Sequence, residues 1–226
     1  MGEIMRNRLD LQLEILDEAL IEMGELCETA IEKATLTIQS GNIQLAKELM
    51  NSDDAIDNME KTIEQMCLRI ILRQQPVAGD LRRISAALKM ITDMERIGDQ
   101  ACDIGEIVLS SKQYRPTEIK KVGEMAVAAS QMVHDSVAAY VEKSLDLARK
   151  VMVADDVVDQ LFDEVRQELA EEIKLDTGGN GSKILDLIMV AKYLERIADH
   201  ATNIAEWVEF SITGVHRDYL LKYCYE

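Results

Sequence analysis

Glu95-Arg96-Ile97-Gly98-Asp99-Gln100-Ala101-Cys102-Asp103-Ile104-Gly105-Glu106-Ile107-Val108 returns at an offset of 100 as Glu195-Arg196-Ile197-Ala198-Asp199-His200-Ala201-Thr202-Asn203-Ile204-Ala205-Glu206-Trp207-Val208. Eight of the fourteen pairs are identical. On a helical wheel Ala101, Ile104 and Val108 fall within about 40° of Ile97, the stripe of a helix that buries one face. A second echo pairs Asp53, Asp54 and Asp57 with Asp155, Asp156 and Asp159, now at an offset of 102. Gly41-Asn42-Ile43 aligns with Lys143-Ser144-Leu145 at that same offset. A repeat of this length marks a duplicated structural unit.

The 226 residues divide into two units, 1–114 and 115–226, the second ending in a short tail. Breaks near Gly41, Pro76, Pro116, Ser144 and the glycine-rich run 178–182 leave six long helical segments: 3–40, 43–75, 80–112, 117–142, 145–175 and 182–213. Asn42 and Ser144 are placed to cap helices with a side-chain oxygen, and Pro116 to open one. Short connections between helices make neighbours antiparallel, so the expected fold is all-α, two tandem three-helix bundles. Composition agrees. Only 2 prolines, 11 glycines and 4% aromatics leave little material for a sheet protein.

The net charge is −17, and both halves are acidic. Nucleic acid and anionic lipid call for a basic face, so cations and basic protein surfaces are the expected partners, with no nucleic acid among them. No apolar run reaches the ~18–20 residues that span a bilayer, so no membrane insertion is expected. The N-terminus carries neither a signal-peptide core nor a myristoylation site. Cys27, Cys67, Cys102 and Cys224 form no CxxC pair, which fits small buried residues in a reducing, cytoplasmic setting.

On the same wheel Glu95, Asp99, Asp103 and Glu106 fall opposite the apolar seam, and Glu195, Asp199, Asn203 and Glu206 repeat them. Like charges at i,i+4 destabilise a helix; a bound cation reverses the sign. Oxygen donors suit hard cations such as Mg²⁺, Mn²⁺ or iron better than zinc. Arg96 and Arg196 stand beside the rows as ion-pair partners. Asp53/Asp57 and Asp155/Asp159 lie near the start of the second helix of each unit, where acids are expected to complement the helix dipole. Asp135 is placed to add a ligand from the first helix of the second unit. Its counterpart at the repeat offset is Lys33, with Glu28 and Glu32 as nearby substitutes. His200 reads as a surface or partner histidine. No Glu-x-x-His occurs, so a ferritin-like di-iron centre is unsupported. Gly178-Gly179-Asn180-Gly181-Ser182-Lys183 reads as a turn, not a phosphate loop.

Taken together, Met94-Glu95-Arg96-Ile97-Gly98-Asp99, Leu194-Glu195-Arg196-Ile197-Ala198-Asp199, Arg73-Gln74-Gln75-Pro76-Val77-Ala78-Gly79-Asp80-Leu81-Arg82 and Met132-Val133-His134-Asp135 resemble the PhoU family over nearly the whole chain. The resemblance implies a cytoplasmic, non-enzymatic negative regulator of high-affinity phosphate uptake. It also implies partners in the ATPase subunit of a phosphate ABC transporter and a phosphate-sensing histidine kinase. Metal clusters (iron, manganese, magnesium or zinc) held by Glu95, Asp99, Asp103, Asp135, Glu195, Asp199 and Asn203 follow from the same likeness. A metal-dependent phosphohydrolase, a plain helical scaffold and a homodimer stay open as alternatives.

Overall fold

A computed structural model describes residues 2–110, 120–175 and 181–216, with side chains from residue 7 onward. It contains α1 (Gly2–Ser40), α2 (Ile43–Met50), α3 (Asp53–Gln74), α4 (Ala78–Ser110), α5 (Lys120–Glu142), α6 (Leu145–Leu175) and α7 (Gly181–Thr213), and no strand among the described residues. Pro116, Cys224 and most of the glycine-rich turn lie outside the described residues.

The caps fall where the side chains predict them. Gly41 turns left-handed at φ 64°, and the Asn42 carboxamide oxygen accepts from the amides of Gln44 and Leu45. The Ser144 hydroxyl accepts from Leu147 N at 3.3 Å. Its neighbour Lys143 holds φ 53° without the freedom of the glycine at the equivalent place.

One expected rod is broken. The segment 43–75 divides into α2 and α3 at Asn51-Ser52, where the Ser52 hydroxyl donates to Leu49 O at 2.6 Å. The second unit has Val153-Ala154 at the corresponding positions, and α6 runs through without a break. Asn and Ser side chains compete for backbone groups in a way that Val and Ala cannot.

The two units share one hydrophobic core. Leu9, Leu13, Leu16, Leu20 and Met23 of α1, Ile97, Ala101 and Ile104 of α4, and Leu194, Ile197, Ala201 and Ile204 of α7 all belong to it. The most extensive contact in the molecule is α4 on α7, and α1 also packs on α5. At the joint Arg83 pairs with Asp17 and lies over the Tyr140 ring, whose hydroxyl donates to Arg83 O at 3.1 Å. That ties α1, α4 and α5 together at one point.

Within each unit the helices approach closely, and the two units solve the contact differently. A Cβ on Gly98 would stand 2.7 Å from Ile56 Cδ1 and 3.2 Å from Ile56 Cγ2, and a Cβ on Gly105 would stand 3.0 Å from Leu49 Cδ2. At the equivalent positions the second unit has Ala198 with Val158, and Ala205 with Val151. A methyl added on one helix is matched by a smaller side chain on its neighbour.

This gives a test by urea denaturation. Gly98→Ala gains about 1 kcal/mol of helix propensity and loses about 1–3 kcal/mol to overpacking, so a net loss is expected. Adding Ile56→Val, the second unit's solution, should recover most of it. A double variant no more stable than Gly98→Ala would remove Ile56 as the cause.

Candidate functional site

Ile97, Ala101, Ile104 and Val108 are buried, as the wheel requires. The acidic row lies elsewhere than the wheel alone suggests. Glu95, Asp99 and Asp103 are half-buried, so the row runs along a flank of α4 and does not point straight away from the core. That flank faces α3, which descends antiparallel to α4 beyond a short connection at residues 75–77. The charge of Asp99 acts on Asp53, and the charges of Glu60 and Asp57 act on Glu95. Asp53 in turn acts on Asp103. A second line of carboxylates therefore stands opposite the first across the α3–α4 seam.

The α6–α7 seam repeats the arrangement. Asp199 acts on Asp155, and Glu195 acts on Asp159. The two repeated acidic elements, at offsets of 100 and 102, are the two sides of each seam. Asp53 does open α3, where it complements the dipole, but Asp155 and Asp159 lie ten and more residues inside α6, so the helix-start reading fails for them and the seam is what places them. The i,i+4 spacing on both antiparallel helices was the signal that could have joined them.

Burial, and then mutual repulsion, raises the carboxyl pKa values along both seams. In the first seam this holds for Asp53, Glu95 and Asp103. In the second, loss of hydration followed by the charges of Asp159 and Asp199 pushes Asp155 up to about 6. Asp199 is raised by loss of water on its protein side and then by Glu195. Few cations offset this. Arg96 lies 3.5 Å from Glu95 Oε2 and 3.9 Å from Asp99 Oδ2. In the second seam Lys192 pairs with Glu195 and sits over the Phe162 ring. Thr92 stands at the equivalent place in the first unit.

The donors are hard oxygens, which fit Mg²⁺, Mn²⁺ or iron. The one thiol nearby, Cys102, donates to Leu49 O at 3.6 Å and lies 3.7 Å from Asp53 Oδ1. Burial and then the neighbouring carboxylates push it up to about 12, so it offers no thiolate at neutral pH. Among the described residues no three His, Cys, Asp or Glu side chains converge on one point. The seams are open rows of carboxylates, and a cation held by three of them requires the side chains to rotate inward.

Two predicted ligands are engaged elsewhere. Asp135 accepts from Gln131 Nε2 at 2.9 Å on its own helix. Asn203 donates to Asp93 Oδ1 at 3.1 Å, and His200 Nδ1 lies 2.9 Å from that same oxygen. Asp93, which the sequence did not single out, thus links α4 to α7. Glu28 holds His134 at 3.1 Å in a groove between α1 and α5, a pairing across the two units and not a ligand set for the α3–α4 seam.

This fold and site define a class: a duplicated helical bundle in which each unit sets two acidic helices edge to edge. The family model described as "PhoU domain" matches the chain twice, over residues 20–108 and 122–208. The chain belongs to the PhoU family. It is 35% identical over 216 residues to a "Phosphate-specific transport system accessory protein PhoU homolog" of Clostridium acetobutylicum, covering 94% of this chain and 98% of that one. A homolog of the same name from Aquifex aeolicus is 38% identical over 186 residues, 82% of this chain and 84% of the other. The crystal structure of PhoU from Pseudomonas aeruginosa superposes with a TM-score of 0.84 at 32% identity, over 91% of this chain and 99% of that chain.

The raised pKa of Asp155 has a definite sign in stability. Its folded value lies above its unfolded one, so between about pH 4 and pH 6 the native state binds more protons. Its contribution therefore falls as pH rises through that window and is unfavourable, and flat, above it. Asp155→Asn should stabilise the metal-free protein more at pH 7 than at pH 4.5 in thermal melts. An equal gain at both values would rule out the ionised carboxylate as its source.

Proposed function

We propose that this protein is a cytoplasmic accessory regulator of phosphate uptake that restrains the phosphate-starvation response and acts as an adaptor, not an enzyme. The carrying observation is the double match to the PhoU domain along the chain. It is supported by relatives whose names place them as accessory proteins of a phosphate-specific transport system. Among the described residues no helix is long and apolar enough to cross a membrane. An adaptor of this kind meets its transporter through the transporter's ATPase subunit and passes its state to a phosphate-sensing histidine kinase.

The acidic seams would be the metal-binding part of that adaptor. Glu95, Asp99 and Asp103, with Asp53 and Asp57, would hold cations in the first unit. Glu195 and Asp199, with Asp155 and Asp159, would hold them in the second. Asn203 and Asp135 are auxiliary donors in this reading, because each already serves another hydrogen bond. Bound divalent or trivalent ions would supply positive charge where the chain has few cations of its own. A surface at −17 repels anionic groups on a partner or membrane; metal in the seams would lessen that repulsion. The chain's own residues would do the rest. Arg96 and Lys192 would give up their carboxylates to the entering ion.

Elemental analysis of untagged protein tests the metal part, run beside the variant Glu95→Ala/Asp99→Ala/Glu195→Ala/Asp199→Ala. The parent should carry stoichiometric metal after exposure to Mn²⁺ or iron, and the variant should lose it. Binding to the ATPase subunit should weaken in chelator for the parent and be insensitive to chelator in the variant. Parent protein that stays metal-free under all these conditions would leave the seams as bare surface charge.

A further inference from the structure

The acidic seams leave one feature of the molecule unused. α1 and α5 pack antiparallel, with Gly24 against Val137 at one end and Gln39 beside Gly123 at the other. Between these contacts the helices bound an open groove of about 470 Å³. Its floor is apolar, built from Ile31 and Ala126, which are almost wholly buried. Its rim is mixed: Leu36 and Val127 are 53% and 70% accessible, and they stand beside Thr35, Ser130, Gln131 and His134. Glu28 and Glu32 stand along one wall, and among the described residues no Lys or Arg lines it. A buried apolar floor inside a polar, acidic rim is the layout of a protein–protein interface in small.

The geometry points to this groove as the docking site for a basic amphipathic helix of a partner protein. The length fits. From Glu28 to Leu36 the wall rises about 12 Å, or two helical turns. That accommodates apolar anchors at i, i+4 and i+7, the pattern of helix-in-groove recognition. The charge fits as well. Lys or Arg flanking those anchors would meet Glu28 and Glu32. His134 Nδ1 lies 3.1 Å from Glu28 Oε1 at the exposed edge of the groove, so a partner's Lys or Arg would share that carboxylate with it. A second copy of this chain is a poorer occupant, because it would bring another −17 surface to an acidic wall. The inference rests on the adaptor reading only in supposing that a partner exists. The groove involves α1 and α5, whereas the metal seams involve α3–α4 and α6–α7, so either can fail alone.

The probe is a fluorescent 18-residue helical peptide with leucines at i, i+4 and i+7 between lysines and arginines. Its control keeps the leucines and replaces every basic residue with glutamate. The parent should bind the basic peptide and not the acidic one. Glu28→Gln/Glu32→Gln/Val127→Ser should weaken binding by about tenfold or more, the loss typical of removing a few central anchors. Glu171→Gln/Glu172→Gln removes the same charge from an exposed end of α6 and should change affinity by less than about twofold, as expected for a distant surface site. The variant with four alanines in the seams should bind the peptide as the parent does. Circular dichroism checks that each variant is folded. No binding by the parent, or equal loss in the groove variant and the α6 variant, overturns the proposal. A parent dimer that Val127→Ser converts to monomer also overturns it, by assigning the groove to a second copy.

Discussion

A helix packed on several sides has only a narrow flank left for charge, and α4 and α7 are such helices. Each lies against the other and against the remaining helices of its own unit. Ile97, Ala101 and Ile104 in one, and Ile197, Ala201 and Ile204 in the other, are wholly buried. The acids of the repeated motif, Glu95, Asp99, Glu195 and Asp199, are thereby confined to the flank beside α3 or α6. Those helices are amphipathic and carry their own acids at the seam. Core packing thus brings like charges together, and both rows lose water as it does so. Raised carboxyl pKa values are the electrostatic consequence of a hydrophobic requirement.

The seams differ in how the chain offsets that charge. In the first, Arg96 lies on the exposed side and reaches Glu95 and Asp99 at ion-pair limits. In the second, Lys192 comes from the preceding turn and makes a close pair with Glu195. A cation entering the second seam would have to displace an ammonium already seated there, whereas one entering the first would compete with a loosely held guanidinium. Two seams built on the same repeat therefore need not treat a cation alike. One source of the difference is Lys192, where the first unit has Thr92; another is Asn203, where it has Asp103.

Much of the fold was legible because period and capping act locally. The buried stripe and the caps at Asn42 and Ser144 follow from residues within a few turns of each other, and the duplication from two such local patterns recurring at a fixed offset. The break at Asn51-Ser52 was harder to see, since two residues in a strongly helical run decide it and only comparison with Val153-Ala154 shows their effect. The site was half legible. A wheel drawn for one helix puts Glu95, Asp99 and Asp103 on the side away from the seam, because it holds no information about the helix that packs on the flank. Asp53 and Asp155 looked like first-turn acids for that reason. The link from Asp93 to His200 and Asn203 was invisible, because it joins residues more than a hundred positions apart and only the α4–α7 crossing brings them into contact.

The contacts between units join equivalent elements. α4 meets its own counterpart α7, and α1 meets its counterpart α5. Equivalence extends to side chains. Asp93 faces His200 and Asn203, and at the offset of 100 Tyr193 is acted on by the charge of Asp103. Glu28 meets His134, and their counterparts at the offset of 102, Ser130 and Glu32, line that same groove. This is the self-complementary pattern of a two-fold dimer interface, here inside one chain. Covalent linkage frees the halves to diverge, since a change in one is no longer copied into the other. Asn51-Ser52, Gly98 and Gly105, Lys143 and Lys192 are places where the halves have parted. Each alters a turn, a helix approach or a charge at a seam, so the divergence falls on the elements that set how each unit presents its carboxylates.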